Sequence, residues 1–410
     1  MNDPLCRSCN SPLTHTLVDL GKTPLANSYI TAGEVGLQDP AYPLHARVCG
    51  KCFLVQVDDV VPPEAIFRDY AYFSSYSEGW VAHAKRYADD ATARLNLDGG
   101  SLVAEVASND GYLLQHFVAE GIPVLGIDPA LDAAQAARKR GVRTETEFFG
   151  QETAAALRDT YGTANLIAAN NVLAHVPDIN DFVAGFSELL AEDGVATFEF
   201  PHLLNLLTYV QFDTIYHEHF SYLSLHAVEV CFERAGLRVF DVEEIPTHGG
   251  SLRVWACRIG NPRKEAQGVS VVRKKENAYG MASMETYEGF PEKVAEIRSG
   301  LLGFLAAAKA EGKSVAAYGA AAKGNTLLNF CQVTSEDIDF VVDANPMKQG
   351  TLLPGSHIPV QAPKTIEEAK PDYLLILPWN LQEEITRQTV YINQWGGRHV
   401  VAIPSLTILS

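Results

Sequence analysis

From Ser101 onward, short apolar runs alternate with stretches whose apolar residues recur every three or four positions. SLVAEVAS is followed by GYLLQHFVAEG, PVLGIDP by ALDAAQAARKRG, ANLIAANNVLAHV by DFVAGFSELLAEDG, and then comes VATFEFP. Continuous short runs suit strands buried on both faces, and the helical period suits helices laid over them, so this order predicts a parallel sheet covered by helices. A helix at HAVEVCFERAG and two strands, LRVFDVEEI and SLRVWACR, complete a seven-strand sheet that is parallel except for its final hairpin.

On either side the pattern changes. Residues 1–66 are rich in turns, with Pro4, Pro12, Pro24, Pro40, Pro43, Pro62 and Pro63 and only short apolar runs, too little to fold on hydrophobic burial alone. Residues 67–97 hold an aromatic cluster, DYAYFSSYS, and a helical pattern, WVAHAKRYADDATARLNL, which predicts a connector helix into the sheet domain at 98–259. Residues 260–310 are charged and helix-prone and are expected to be a helical linker. Strand–helix alternation restarts in SVAAYGAAAKGNTLLNF, IDFVVDANP and DYLLILPW, predicting a smaller α/β domain over 311–410.

Composition narrows the partners. The 410 residues carry 32 Lys plus Arg against 50 Asp plus Glu, a net charge of −18, which disfavours a polyphosphate backbone as partner. No apolar stretch approaches the ~18 residues of a membrane span, and the N-terminus lacks the pattern of a secretory signal. A cytoplasmic enzyme is expected, with seven cysteines reduced or bound to metal.

Four of those cysteines are paired as Cys6-x2-Cys9 and Cys49-x2-Cys52. Each pair is close enough to reach one ion, and two pairs make the four-thiolate set that structural zinc prefers. His15 and His45 are alternative ligands that nothing requires. The competing reading is four unrelated buried thiols.

Two strand-to-helix turns carry candidate ligand chemistry. In Glu105-Val-Ala107-Ser108-Asn109-Asp110-Gly111, small residues let a cofactor approach the backbone, Glu105 sits near the strand's carboxyl end, and Asp128 follows where an acid meets ribose hydroxyls. The alternative for Asp128 is a helix cap. In Tyr318-Gly-Ala-Ala-Ala-Lys323-Gly-Asn325, a lysine among small residues suits a pyrophosphate, and Asp343 makes NAD a rival ligand there.

Tyr216-His217-Glu218-His219-Phe220-Ser221-Tyr222 follows VATFEFP, at the edge where open α/β sheets bind ligands. Its imidazoles, carboxylate and phenols offer a general base with an orienting partner; a metal site or plain buried hydrogen bonding are the alternatives. His175, just past a strand end, is a candidate for the same pocket, with a structural histidine as the alternative, and the turn Thr247-His248-Gly249-Gly250 has glycines that allow close approach, with a plain hairpin connection as the alternative.

With EVASNDGYLL, GIDP, NNVLAHV, IYHEHFSYLS, THGGSLRV and YGAAAKGNTLLN in this order behind two cysteine pairs, the chain resembles the deoxysugar C-methyltransferases over essentially its whole length. The resemblance implies a small zinc-binding domain, a Rossmann-like methyltransferase domain and a smaller Rossmann-like C-terminal domain that helps hold a nucleotide sugar. It further implies S-adenosylmethionine held by Glu105, Ala107, Ser108, Asn109, Gly111, Asp128, Asn170 and Asn171. His219 would be the base, with Tyr216, Glu218, His175 and Tyr222 around the sugar. Tyr76, His248, Lys323 and Asn325 would bind substrate, Lys323 at the pyrophosphate. The general methyltransferase loop has glycine where Ala107 and Ser108 stand.

The implied reaction is methylation of a carbon, C-3′ ahead of C-5′, in a dTDP-linked 4-keto-deoxyhexose, of the kind used in antibiotic sugar biosynthesis, by a monomer or weak homo-oligomer. An NAD-dependent sugar-nucleotide enzyme and a non-catalytic zinc-ribbon binding module are the readings from other classes.

Overall fold

The computed structural model describes residues 4–31, 33–34, 39–58, 61–62 and 73–409. The expected aromatic cluster therefore lies partly outside the described residues, at 69–72. The N-terminal strands β1 (His15–Thr23), β2 (Tyr42–Val48) and β3 (Val55–Val57) form an antiparallel meander. Their inward residues, including Leu17, Leu44, Ala46 and Val55, share one apolar cluster with Val294, Leu301, Leu328 and Leu375 from the C-terminal part. The small N-terminal segment thus gains its burial by packing on the rest of the chain.

The central sheet runs through β4 (Val103–Val106), β5 (Val124–Ile127), β6 (Thr144–Glu145), β7 (Ala164–Asn170) and β8 (Leu190–Pro201). A short strand β9 (Ser221–Tyr222) leaves it, and β10 (Leu237–Ile245) and β11 (Ser251–Arg258) return. The order is β10-β11-β8-β7-β4-β5-β6. Strand β11 lies between β10 and β8 and is antiparallel to both. This insertion carries the Thr247–Gly250 turn to the carboxyl end of β8, where Ser251 pairs with Pro201.

Strand β9 joins the N-terminal meander instead, Tyr222 pairing with Val55 and Ser221 with Gln56. The segment rich in His and Tyr is thereby pinned between two domains.

The helix α1 (Glu78–Leu95), capped by the Ser77 hydroxyl accepting from Trp80 N, is no bare connector. Its Tyr87, Ala88 and Ala91 pack with Val103, Leu166 and Trp255 of the central sheet. The expected 260–310 linker is likewise packed. Helix α2 (Gln267–Tyr279) buries Val269 and Val272 in the central domain, whereas α3 (Phe290–Ala310) buries Val294 and Leu301 in the C-terminal core. The apolar stripes of these helices make packing more favourable than solvation, which the local charge density masks.

The C-terminal sheet contains β12 (Val315–Tyr318), β13 (Val341–Val342), β14 (Val360–Gln361), β15 (Tyr373–Ile376), β16 (Arg398–Val401) and β17 (Thr407–Ile408). Its order is β14-β13-β12-β15-β16-β17, parallel except at β17, and α4 (Ala322–Cys331) follows β12. Among the described residues no helix is long and apolar enough to cross a membrane.

Candidate active site

The two cysteine pairs converge. Their four Sγ atoms lie within 4.8 Å of one another, with Cys6–Cys52 at 3.6 Å and Cys9–Cys49 at 3.4 Å. Zinc–sulfur bonds of about 2.3 Å in a tetrahedron place sulfurs about 3.8 Å apart, so the donor set fits a structural zinc. Each pair sits on a turn closed by a residue of positive φ, Asn10 (57°) and Phe53 (56°). His45 bonds Thr16 Oγ1 instead, and the converging group comprises the four cysteines alone among the described residues. Gln56, the partner of Ser221, also donates to Cys6 Sγ at 3.2 Å, which links the metal cluster to the β3–β9 pairing.

At the carboxyl end of β4 the chain turns through Ala107 (φ 57°), Asn109 (48°) and Gly111 (79°). Asp128 ties this turn to the next strand, accepting from Asn109 N at 2.8 Å and Ala130 N at 2.9 Å. Its carboxylate therefore does brace the following segment, with lone pairs remaining for a ribose. Ser108 Oγ would lie 2.6 Å from a Cβ at Gly126, so only glycine fits beneath the turn.

Several buried polar atoms here meet no hydrogen-bond partner: Ser108 Oγ, Asn170 Oδ1, and the Oδ1 and Nδ2 of Asn171, while the buried Glu105 carboxyl has only Tyr112 beside it. Buried polar groups are nearly always satisfied, so a set this concentrated marks a cradle for a polar ligand. Burial, with the charge of Asp128 behind it, pushes the Glu105 carboxyl well above its usual range. A cation there restores its ionised form, which suits the ammonium and sulfonium of S-adenosylmethionine.

The imidazole of His219 is held at both nitrogens. Its Nδ1 lies 3.0 Å from Thr214 O, a pure acceptor, so Nδ1 carries the proton. Nε2 then accepts from the Tyr216 hydroxyl at 2.7 Å. The His175 ring stands edge-on at 4.6 Å, its Nδ1 donating to Glu218 O at 2.8 Å. Burial, then the charges around it, hold His219 well below the ordinary imidazole pKa, and burial lowers His175 to about 4. Both are neutral near pH 7, as a base awaiting a proton must be.

The Tyr222 hydroxyl accepts from Tyr216 N at 3.2 Å and braces the loop. Glu218 differs from expectation. Its carboxylate receives Asn27 Nδ2 at 3.2 Å, while the His219 ring is oriented by the Thr214 carbonyl and Tyr216. The reason is alternation: in this tight turn adjacent side chains leave in different directions, and that of Glu218 faces the N-terminal segment.

His248 (φ 53°) stands with its ring 5.3 Å from that of Trp80. Lys323, half-buried in the first turn of α4, donates to Asn380 Oδ1 at 2.7 Å and lies 4.5 Å from the Trp379 ring centre. Two expected substrate residues are not brought to this cluster. Asn325 is buried and donates to Ala26 O at 2.6 Å, joining α4 to the N-terminal segment. Tyr76 is 67% exposed and packs on Phe73, beside the cofactor turn.

Several residues with structural claims on the site went unread in the sequence. Thr214 acts through its carbonyl, which leaves no side-chain signature. Glu199 is fully buried and accepts from His83, Thr247 and Arg253 at 3.0–3.1 Å, locking α1 and the Thr247–Gly250 turn together. Its signal was available: a carboxylate inside the apolar run VATFEFP.

The C-terminal turn has its own arrangement. Asp343 accepts from Ala320 N at 2.8 Å, and Ala320 O receives both Tyr29 Oη at 2.5 Å and Lys348 Nζ at 2.6 Å. These bonds tie the turn to the N-terminal segment and to the residues after β13.

Comparison with known proteins decides the family. The chain is 36% identical over 405 residues to the C-methyltransferase NovU of Streptomyces niveus, covering 99% of this chain and 96% of that protein. The chain belongs to the C-methyltransferases. Family models agree: a zinc binding domain matches residues 6–67, a methyltransferase domain 80–242, and a C-methyltransferase C-terminal domain 246–404.

Among solved structures, the magnesium protoporphyrin IX methyltransferase of Synechocystis with bound S-adenosylmethionine aligns with TM-score 0.36 and 15% identity, over 49% of this chain and 99% of that one. The 1,6-didemethyltoxoflavin-N1-methyltransferase of Burkholderia thailandensis aligns with TM-score 0.36 and 16% identity, over 50% and 94%. With the methyltransferase and zinc binding domain models matched in one chain, this C-methyltransferase uses S-adenosylmethionine and carries a four-cysteine zinc-binding module.

Proposed function

We propose that this C-methyltransferase alkylates C-3′ of a thymidine-diphosphate-linked 4-keto-deoxyhexose in deoxysugar biosynthesis. The observation that carries this reading is the neutral His219 imidazole, with Nε2 as its basic nitrogen beside the Tyr216 hydroxyl. A sugar carbon is a nucleophile only after a proton is removed next to a carbonyl, so the reaction needs one base and one donor to the developing oxyanion.

His219 Nε2 takes the C-3′ proton while the C–H electron pair moves into the ring and onto the C-4′ oxygen. Tyr216, displaced from Nε2 by the sugar, donates its hydroxyl to that oxygen. Tyr222 and Thr214 keep both side chains in register. His175 walls the pocket as a neutral ring, which adds no charge against imidazolium formation.

Glu105, Ala107, Ser108, Asn109, Gly111, Asp128, Asn170 and Asn171 would hold S-adenosylmethionine, which would supply an electrophilic methyl, its sulfur–methyl bond breaking with the electron pair left on sulfur as S-adenosylhomocysteine. Zinc at the cysteines would stand apart as a fold element, because four thiolates leave no open position.

The test is a mass spectrum of thymidine-diphosphate-4-keto-6-deoxyhexose after incubation with protein and S-adenosylmethionine in deuterated buffer. A gain of one methyl, located at C-3′ by fragmentation, is the expected result; a methyl at C-5′ would reassign the carbon. His219→Asn should bind S-adenosylmethionine normally and lose at least about 10²-fold in turnover. A near-normal rate would remove His219 from the base role.

A further inference from the structure

We propose that the Lys323 ammonium is a catalytic group of this reaction, the second donor to the enolate oxygen opposite Tyr216, positioned by Asp213 and Trp379. The proposal rests on the enolate reading above and assigns Lys323 to the ketone end of the sugar rather than to its diphosphate.

Lys323 belongs to the first turn of α4, and this turn is stitched to the His219 loop. Thr326, three residues along the helix, donates its hydroxyl to Ile215 O at 3.0 Å, immediately before Tyr216. Trp379, under the Lys323 ammonium, donates its Nε1 to Asp213 Oδ2 at 2.8 Å. Asp213 immediately precedes Thr214, whose carbonyl orients His219. The Trp379 ring also presses on the His248 turn: a Cβ at Gly249 would lie 2.4 Å from it, and only glycine, here at φ +87°, allows that approach.

Lysine, base and His248 turn therefore converge through short bonded paths. The electrostatics agree, because burial depresses both His219 and His248 and the positive charge of Lys323 adds to it in each. In a pyranose the diphosphate hangs from C-1′, across the ring from C-4′. A lysine whose charge reaches the base that works at C-3′ addresses the ketone.

Burial pulls the Lys323 pKa below its ordinary value, the charge of Asp213 opposes that, and the surroundings leave the ammonium donors to spare. Asn380 takes one N–H, and the indole face offers attraction without consuming a donor. Asp213 is fully buried, and its Oδ1 meets no partner. Burial raises its pKa to about 6, against the pull of Lys323 and Trp379. In the reaction the proton goes from C-3′ to His219 Nε2 and the electron pair comes to rest on the C-4′ oxygen. That oxygen then receives one hydrogen bond from Tyr216 and one from Lys323. When the carbon takes the methyl the pair returns to form the new C–C bond, the sulfur–methyl bond of the donor breaks with its pair left on sulfur, and the carbonyl is restored.

The experiment compares wild type, Lys323→Met and the double variant Lys323→Met/Asp213→Asn, which removes both charges together. Three quantities are read for each: enzyme-dependent deuterium uptake at the sugar carbon with S-adenosylhomocysteine present, turnover at saturating sugar nucleotide, and the Kd of thymidine diphosphate by calorimetry. The expected result is a loss of about 10²–10³-fold in uptake and turnover, as for an oxyanion-hole donor, with Kd unchanged within about twofold.

If Lys323→Met fails to give a native circular dichroism spectrum, the double variant is decisive. A tenfold or greater rise in Kd with normal uptake at saturation would place Lys323 on the diphosphate and overturn the proposal, as would normal values throughout. If wild type binds thymidine diphosphate but neither exchanges nor methylates 4-keto sugars, the enolate reading itself falls, and this proposal with it.

Discussion

Replacing Glu199 with Gln tests whether the buried carboxylate is the strut that joins α1 to the Thr247–Gly250 turn. Glu199 is 0% exposed, Arg253 is 7% exposed, and the two meet at 3.0 Å, with His83 and Thr247 bonding the same carboxylate. Removing one member of a buried pair costs about 3–5 kcal/mol, because the survivor stays desolvated and uncompensated. Here Arg253 keeps a weaker contact to Glu243 at 3.5 Å and lies over the Tyr87 ring, and glutamine retains one acceptor oxygen. The loss should therefore fall at the low end, about 3 kcal/mol.

With a urea m-value of about 3 kcal/mol/M, the unfolding midpoint drops by about 1 M. Tryptophan fluorescence is a suitable probe, because Trp80 stacks on His83 with ring centres 4.9 Å apart. The pH dependence adds a sign. Burial would raise the Glu199 pKa, but His83 and Arg253 outweigh it and hold the group below its ordinary 4.5. Its contribution is therefore complete above pH 4.5 and is lost as pH falls through the folded-state value, so the gap between variant and wild type narrows in acid. A midpoint shift under about 0.2 M at pH 7 would refute the reasoning, since it would mean that Arg253 needs no buried counter-charge.

Two further outcomes are expected. Cys49→Ser should abolish the binding of one zinc per chain, measured by elemental analysis. It should also lower the thermal midpoint and the rate together, because β3 carries both Gln56 at the cysteine cluster and the pairing with β9; a zinc-free variant with wild-type stability would contradict a structural metal. In the pH profile of kcat/KM, the acid limb due to His219 should lie well below 6.5, because burial and neighbouring charges depress its pKa and activity is lost only as the neutral base becomes protonated. A His219-dependent limb at or above 6.5 would argue against that environment.

Local patterns made much of this protein legible. The alternation from Ser101 onward specified the parallel sheet because strands buried on both faces must be continuously apolar, and the cysteine spacing specified one ion because two x2 pairs suffice for four thiolates. Tyr216 and His219 were visible as a dense polar cluster at a strand's carboxyl end. Long-range contacts decided the rest.

No local pattern announces that β11 inserts beside β8, that β9 pairs with the zinc module, or that α1, α2 and α3 pack instead of linking, since each depends on surfaces far away in the chain. The same holds within the site. Sequence spacing placed Glu218 next to His219, whereas the turn sends its carboxylate to Asn27 and leaves orientation to the Thr214 carbonyl. Asn325 and Lys323 are two residues apart on one helix, and that step rotates the first toward Ala26 and the second toward Trp379 and Asn380. A sequence names the groups that chemistry requires, but direction is set by the packing around each backbone position, and catalysis depends on direction.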